Sequence, residues 1–191
     1  MRPLRRLLAP LAPASGYDPT MLLPKAVPTL LILALVACAS TSRSGPAVGL
    51  VGRPIALAAI DLQGRRIDVA ADRGKVRVID FWATWCEPCR DELPELDRLA
   101  GDLGGRGLAV YAVSFDESAS AIPDFLREVP VRFPVLWDKG GETWAPRFGI
   151  ERLPTTLLVD RRGTVRFVHA GWDERIAVAE RRELEHLLNE R

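Results

Sequence analysis

Apolar residues recur along this chain in two periods. Residues 76–83 (VRVIDFWA) and 108–115 (LAVYAVSF) are runs rich in β-branched and aromatic side chains, which predicts two buried strands. Between them Leu93, Leu96, Leu99, Ala100 and Leu103 fall at helical spacing, with Asp91, Glu95, Asp97 and Arg98 opposite, and Gly104-Gly105 ends the stretch. Residues 118–129 read as helix, 133–137 as a short extended piece and 142–148 as a short helix. Residues 155–160 and 164–170 read as strands joined by a turn at Arg161-Arg162-Gly163. Residues 173–189 close the chain as a helix with Ile176, Leu184, Leu187 and Leu188 facing inward. Upstream, residues 55–72 alternate loosely and turn at Gln63-Gly64, as a short hairpin or two edge strands would. The order β-α-β-α-β-β-α after that hairpin predicts an α/β fold: a central mixed β-sheet with helices on both faces.

The N-terminal stretch follows a different logic. Residues 27–37 form an apolar run behind Lys25, too short to cross a bilayer, which needs about 20 residues. A short apolar core after a positive charge and ending in small residues reads as an export signal. Its end, Leu35-Val36-Ala37-Cys38, resembles the lipobox of bacterial lipoproteins, which implies acylation of Cys38 and a membrane anchor. Met21 is an alternative start, since residues 21–38 make a compact signal by themselves. Residues 1–38 are therefore expected to be a signal segment, 39–50 a flexible tether, and 51–191 the folded domain.

Composition changes the picture in one respect. The formal charge of +1 hides an asymmetry, because residues 1–37 carry Arg2, Arg5, Arg6 and Lys25 against Asp18. The remainder holds 22 basic and 24 acidic side chains. A weakly acidic body is a poor partner for nucleic acid, which calls for clustered Lys and Arg.

The chemistry lies in the other two of the three cysteines, Cys86 and Cys89. One pair with only His169 and His186 besides is a poor zinc cage, so no metal site is expected. A purely structural bridge across two residues closes too small a loop to stabilise much. A redox pair accounts for more. Cys86 falls where a strand ends and a helix begins, so free N–H groups and the helix dipole favour its thiolate, the nucleophile of disulfide exchange. Cys89, one turn further in, is placed to resolve a mixed disulfide. Pro88 stiffens the first turn, where its missing N–H is harmless.

These residues also carry a family resemblance. VIDFWATWCEPC is similar to the thioredoxin active-site strand and turn. The longer GKVRVIDFWATWCEPCRDELPEL, together with FGIERLPTTLLVDRRGTV, resembles the TlpA/ResA group of membrane-tethered thioredoxin-like disulfide reductases, over residues 51–171. The resemblance implies a thioredoxin-like fold with no cofactor beyond the Cys86–Cys89 disulfide. It further implies that Pro154 is the cis-proline beside the cysteines, that the backbone of Leu153 pairs with substrate, and that Pro94 kinks the active-site helix. Asp80 matches the buried aspartate that assists proton movement, where many TlpA-like members carry Asn, and Glu92 a carboxylate of the ResA-like branch. A buried acid at position 80 should have a raised pKa. Trp85 is expected to shield the sulfur and touch substrate. Glu87 replaces thioredoxin's glycine, and its charge, with Asp80 and Glu92 of the same sign, disfavours the thiolate and points to a reductant. Disulfide-containing protein substrates, a membrane electron donor of the CcdA or DsbD kind, a monomeric state and a location on the periplasmic side of a bacterial membrane complete the implied picture. Cytochrome c maturation and copper-site assembly are both compatible. The competing readings are a thiol oxidase, a copper-handling thiol protein and a peroxiredoxin-like peroxidase. The last calls for Thr three residues before its cysteine, where this chain has Ala83.

Overall fold

The computed structural model describes residues 47–190. Cys38, Met21, the apolar run and most of the tether lie outside the described residues. A seven-stranded mixed sheet forms the centre: β1 (Ala58–Asp61), β2 (Arg66–Asp68), β3 (Val76–Trp82), β4 (Leu108–Ser114), β5 (Val135–Trp137), β6 (Thr155–Val159) and β7 (Val165–Ala170). Their spatial order is β2-β1-β5-β4-β3-β6-β7, with β3, β4 and β5 parallel and every other neighbour antiparallel. The expected fold class is thus present. The N-terminal hairpin forms the edge of the main sheet, because β1 pairs with β5 at Ile60↔Trp137.

The strand period of two assigns residues of β3 to opposite faces. Val76, Val78 and Trp82 share one apolar cluster with Leu93, Leu96, Phe125 and Leu184. These belong to helices α1 (Glu87–Leu103), α2 (Ile122–Glu128) and α4 (Glu174–Asn189). Ile79 and Phe81 join the other cluster with Trp144 and Phe148 of α3 (Trp144–Phe148) and with Leu57. Covered on both faces, all seven residues of β3 are buried, as a central strand requires. Asp80 has the parity of Val78 and Trp82, so it faces α1 and α4.

Local chemistry sets the ends of the elements. Asp173 caps α4 by accepting from the N–H groups of Arg175 and Ile176 at 2.9 Å each. The β6–β7 turn closes on Asp160, whose Oδ1 accepts from Arg162 and Thr164 at 2.9 Å, with Gly163 at φ +91° as the left-handed residue. Packing begins upstream of the expected boundary at residue 51: Ala47 is buried and its N–H donates to the Gly149 carbonyl at 2.9 Å. Residues 47–50, expected as tether, therefore belong to the folded part, because Ala47 fills a place in the apolar cluster that holds Phe148.

Candidate active site

Strand β3 delivers the site. It ends at Trp82, the chain turns through Ala83-Thr84-Trp85, and Cys86 takes the N-cap position of α1. The turn is held by Asp116, just beyond β4. Its carboxylate accepts from the Thr84 N–H at 3.0 Å, the Thr84 hydroxyl at 2.6 Å and the Ser114 hydroxyl at 2.7 Å. Its carbonyl accepts from Trp137 Nε1 at 2.8 Å. Asp116 is a positioning residue that sequence reading missed, since nothing local marks an acid thirty residues downstream as the anchor of the cysteine turn.

Cys86 and Cys89 are joined in a disulfide, Sγ–Sγ 2.04 Å. Cys86 is 5% exposed and Cys89 fully buried. Glu87 and Pro88, between them, lie on the surface, and Pro94 stands inside α1, where it leaves the Arg90 carbonyl without its helical donor. Trp85 is 70% exposed, so it stands free beside the pair rather than packing into the core. Trp82 is the buried indole, its ring 5.0 Å from that of Phe125.

The Leu153–Pro154 peptide bond is cis, as the resemblance implied. The register Phe81↔Thr155 carries Pro154 to the end of β3 from which the cysteine turn departs. The Pro154 carbonyl accepts from Gly171 at 2.8 Å, while Leu153 makes no backbone hydrogen bond to any described residue. An extended chain laid here would find both its N–H and its carbonyl free.

Behind the disulfide the structure gathers carboxyl groups. Asp80 and Glu92 are wholly buried. Thr156, the cross-strand partner of Asp80, donates from its hydroxyl to Glu92 Oε1 at 2.6 Å. Both Asp80 oxygens and Glu92 Oε2 have no hydrogen-bond partner. Burial pushes Asp80 well above the usual carboxylate range, and Glu180 adds to the push. Burial does the same to Glu92, assisted by Asp80 and opposed by the Thr156 hydroxyl. This corrects the charge argument drawn from the sequence. Carboxyls that resist ionisation are not fixed negative charges, so the only exposed carboxylate between the cysteines is that of Glu87. The buried acids matter as proton holders.

Glu180, on α4, is the residue that sequence reading passed over. It too is wholly buried, with neither oxygen hydrogen-bonded. Burial first, then Glu92, pushes its pKa up to about 9, against the nearby Thr156 hydroxyl, which favours the charged form. A signal existed: Ile176, Glu180, Leu184 and Leu187 form one helical stripe, and an acid on that stripe must be buried with the rest. His169, the other unassigned polar side chain nearby, is engaged by Glu183 at 2.7 Å.

Among the described residues no helix is long and apolar enough to cross a membrane, and no three His, Cys, Asp or Glu side chains are grouped to hold a metal ion. The chain is 36% identical over 105 residues to the thiol-disulfide oxidoreductase ResA of Bacillus thuringiensis subsp. konkukian, covering 55% of this chain and 60% of that protein. A putative thiol:disulfide interchange protein DsbE from Chlorobium tepidum superposes with a TM-score of 0.67 at 28% identity, over 71% of this chain and 95% of that one. The structure of MTB DsbF superposes with a TM-score of 0.61 at 27% identity, over 75% and 98% of the two chains. These neighbours share the thioredoxin-like architecture described above. The match to ResA spans less than two thirds of that relative's length, whereas one family description fits most of the folded part. Residues 51–168 match the AhpC/TSA family, and the chain belongs to it.

Proposed function

We propose that this chain is a thiol:disulfide oxidoreductase acting as a reductase of disulfides in exported proteins. The observation that carries the reading is the Cys86–Cys89 pair at the junction of β3 and α1, backed by buried carboxyls and flanked by a cis-proline whose preceding residue has a free backbone.

In the reduced protein the Cys86 thiolate attacks one sulfur of a substrate disulfide. The other substrate sulfur leaves with the electron pair of the broken bond and takes a proton. Cys89 then gives its proton to whichever buried carboxyl has ionised, a form that burial makes scarce and that grows as pH rises, and its sulfur attacks Cys86 Sγ. The bond between Cys86 and substrate breaks and the second substrate sulfur leaves as a thiolate, which takes a proton from water. Two electrons pass to substrate, and the protein is left as the Cys86–Cys89 disulfide. Leu153 and Pro154 hold the substrate chain extended, and Trp85, Glu87 and Pro88 form the surface it meets.

Two features favour the reductase direction. Burial of both sulfurs among apolar side chains disfavours a thiolate, and so does the neighbouring carboxylate of Glu87. A pair without a stabilised thiolate holds its disulfide more firmly and gives up electrons more readily. The peroxidase reading is poorly supported, with Ala83 at the threonine position and the resolving sulfur in the same turn. The lipobox resemblance at Cys38 supports a lipid-anchored protein beyond the cytoplasmic membrane, recharged by a membrane electron donor of the CcdA or DsbD kind. Cytochrome c maturation and copper-site assembly are the services such a reductant suits.

The test is the reduction potential of the pair, followed by Trp fluorescence across a dithiothreitol or glutathione series. A value near or below about −230 mV supports the reductase, while one toward about −120 mV marks an oxidant and overturns the direction proposed.

A further inference from the structure

Three carboxyls without a basic partner have been drawn into one apolar layer. Asp80 comes from β3, Glu92 from α1 and Glu180 from α4, and each is fully buried with at least one orphaned oxygen. The polar groups around Glu180 can be named from every side. Asp80 and its cross-strand partner Thr156 lie on the sheet face that α1 and α4 cover, and Thr156 donates to Glu92. Cys89 stands one helical turn before Glu92 on α1. On α4 itself Glu183 is tied to His169 of β7.

No packing argument accounts for this arrangement. An unpaired buried acid is destabilising, and a leucine on the same stripe would cost nothing in polar desolvation. We infer that Glu180 is a positioning residue of the redox site: buried in one layer with Asp80 and Glu92, it acts on them through its charge and so governs which of those two carboxyls is free to take the proton that Cys89 releases.

The inference rests on the oxidoreductase reading and deepens it. Like-charged carboxyls in one dry site cannot all ionise together, so they titrate in coupled steps that belong to the group. Ionisation of any one raises the others. Removing Glu180 turns three steps into two and releases Asp80 and Glu92 from its repulsion. The direction follows from the sign: without that negative charge the remaining acids ionise at lower pH.

The experiment compares the full-length protein with Glu180→Gln and Glu180→Leu. Each is reduced, then reoxidised with oxidised glutathione from pH 5 to 10, with Trp fluorescence reporting the rate. The upper inflection of the rate profile is expected to fall by about one pH unit or more in both variants. A variant profile that overlays the wild type overturns the role of Glu180 and leaves the oxidoreductase reading intact. A wild-type protein that exchanges no disulfide with glutathione overturns that reading and, with it, this inference. Should neither variant fold, carbon-detected NMR of the wild type decides. The Glu180 Cδ resonance is expected to titrate in step with those of Asp80 and Glu92 and to move when the disulfide is reduced. A Glu180 signal that titrates alone and ignores the disulfide overturns the inference.

Discussion

Thr156 Oγ1 donates a 2.6 Å hydrogen bond to Glu92 Oε1, linking β6 to the cysteine-bearing helix in a layer with no water-facing surface. The same hydroxyl also bears on Glu180, whose charged form it favours. Because a donor favours the charged form, the bond holds Glu92 below where burial alone would put it. Thr156→Val removes the donor at little change in shape. The pH profile of disulfide exchange should then move upward, opposite in sign to Glu180→Gln, with a stability cost of about 1–2 kcal/mol. Stopped-flow exchange with oxidised glutathione across pH, beside urea melts, measures both.

Asp116 decides whether the cysteine turn is rigid. Asp116→Ala leaves the Thr84 N–H, the Thr84 hydroxyl and the Ser114 hydroxyl without their acceptor. A loss of about 2–3 kcal/mol of stability is expected, together with a slower exchange rate, since Cys86 follows two residues after Thr84. Urea denaturation and glutathione exchange on the same preparation test it. Unchanged stability would mean that the turn is held by other contacts.

Trp85 stands 70% exposed, so its burial contributes little to the fold. Trp85→Ala should leave the urea midpoint within about 0.5 kcal/mol of wild type. Exchange with a folded disulfide protein should slow several-fold, while exchange with glutathione should hardly change. Equal slowing for both substrates would place Trp85 in the chemistry of the sulfurs rather than in the surface that meets a protein chain.

Stability should fall as pH rises. Glu180 is neutral in both folded and unfolded states below its usual pKa of 4.5; above that, only the unfolded chain ionises freely, until the folded pKa of about 9 is reached. Keeping Glu180 neutral in the fold costs nothing at low pH, and the cost grows progressively from about pH 4.5 to 9. At pH 7 the cost is on the order of 3 kcal/mol. Glu180→Leu should flatten this part of the profile and raise the urea midpoint most at alkaline pH. A wild type and variant that respond identically to pH would show that Glu180 is solvated in solution.

Much of this was legible in the chain itself, and the reason is range. The strand at 76–83, the helical leucines after Cys89, the turn at Gly163 and the cysteine pair between a strand and a helix are all set by neighbours within a few positions. Local sterics, periodicity and helix-end chemistry act over that distance. Pro154 and Leu153 were reachable through resemblance, because a conserved fold carries its own contacts with it. What only the tertiary structure decided is which distant groups share one layer. Asp116 reaches back across thirty-two positions to Thr84, and Glu180 arrives on the last helix over a strand a hundred residues earlier. It also decided the charge state of Asp80 and Glu92, which as letters read as two negative charges beside a thiol. Ionisation depends on the surrounding dielectric, and that is a property of burial from all sides at once, which no stretch of sequence contains.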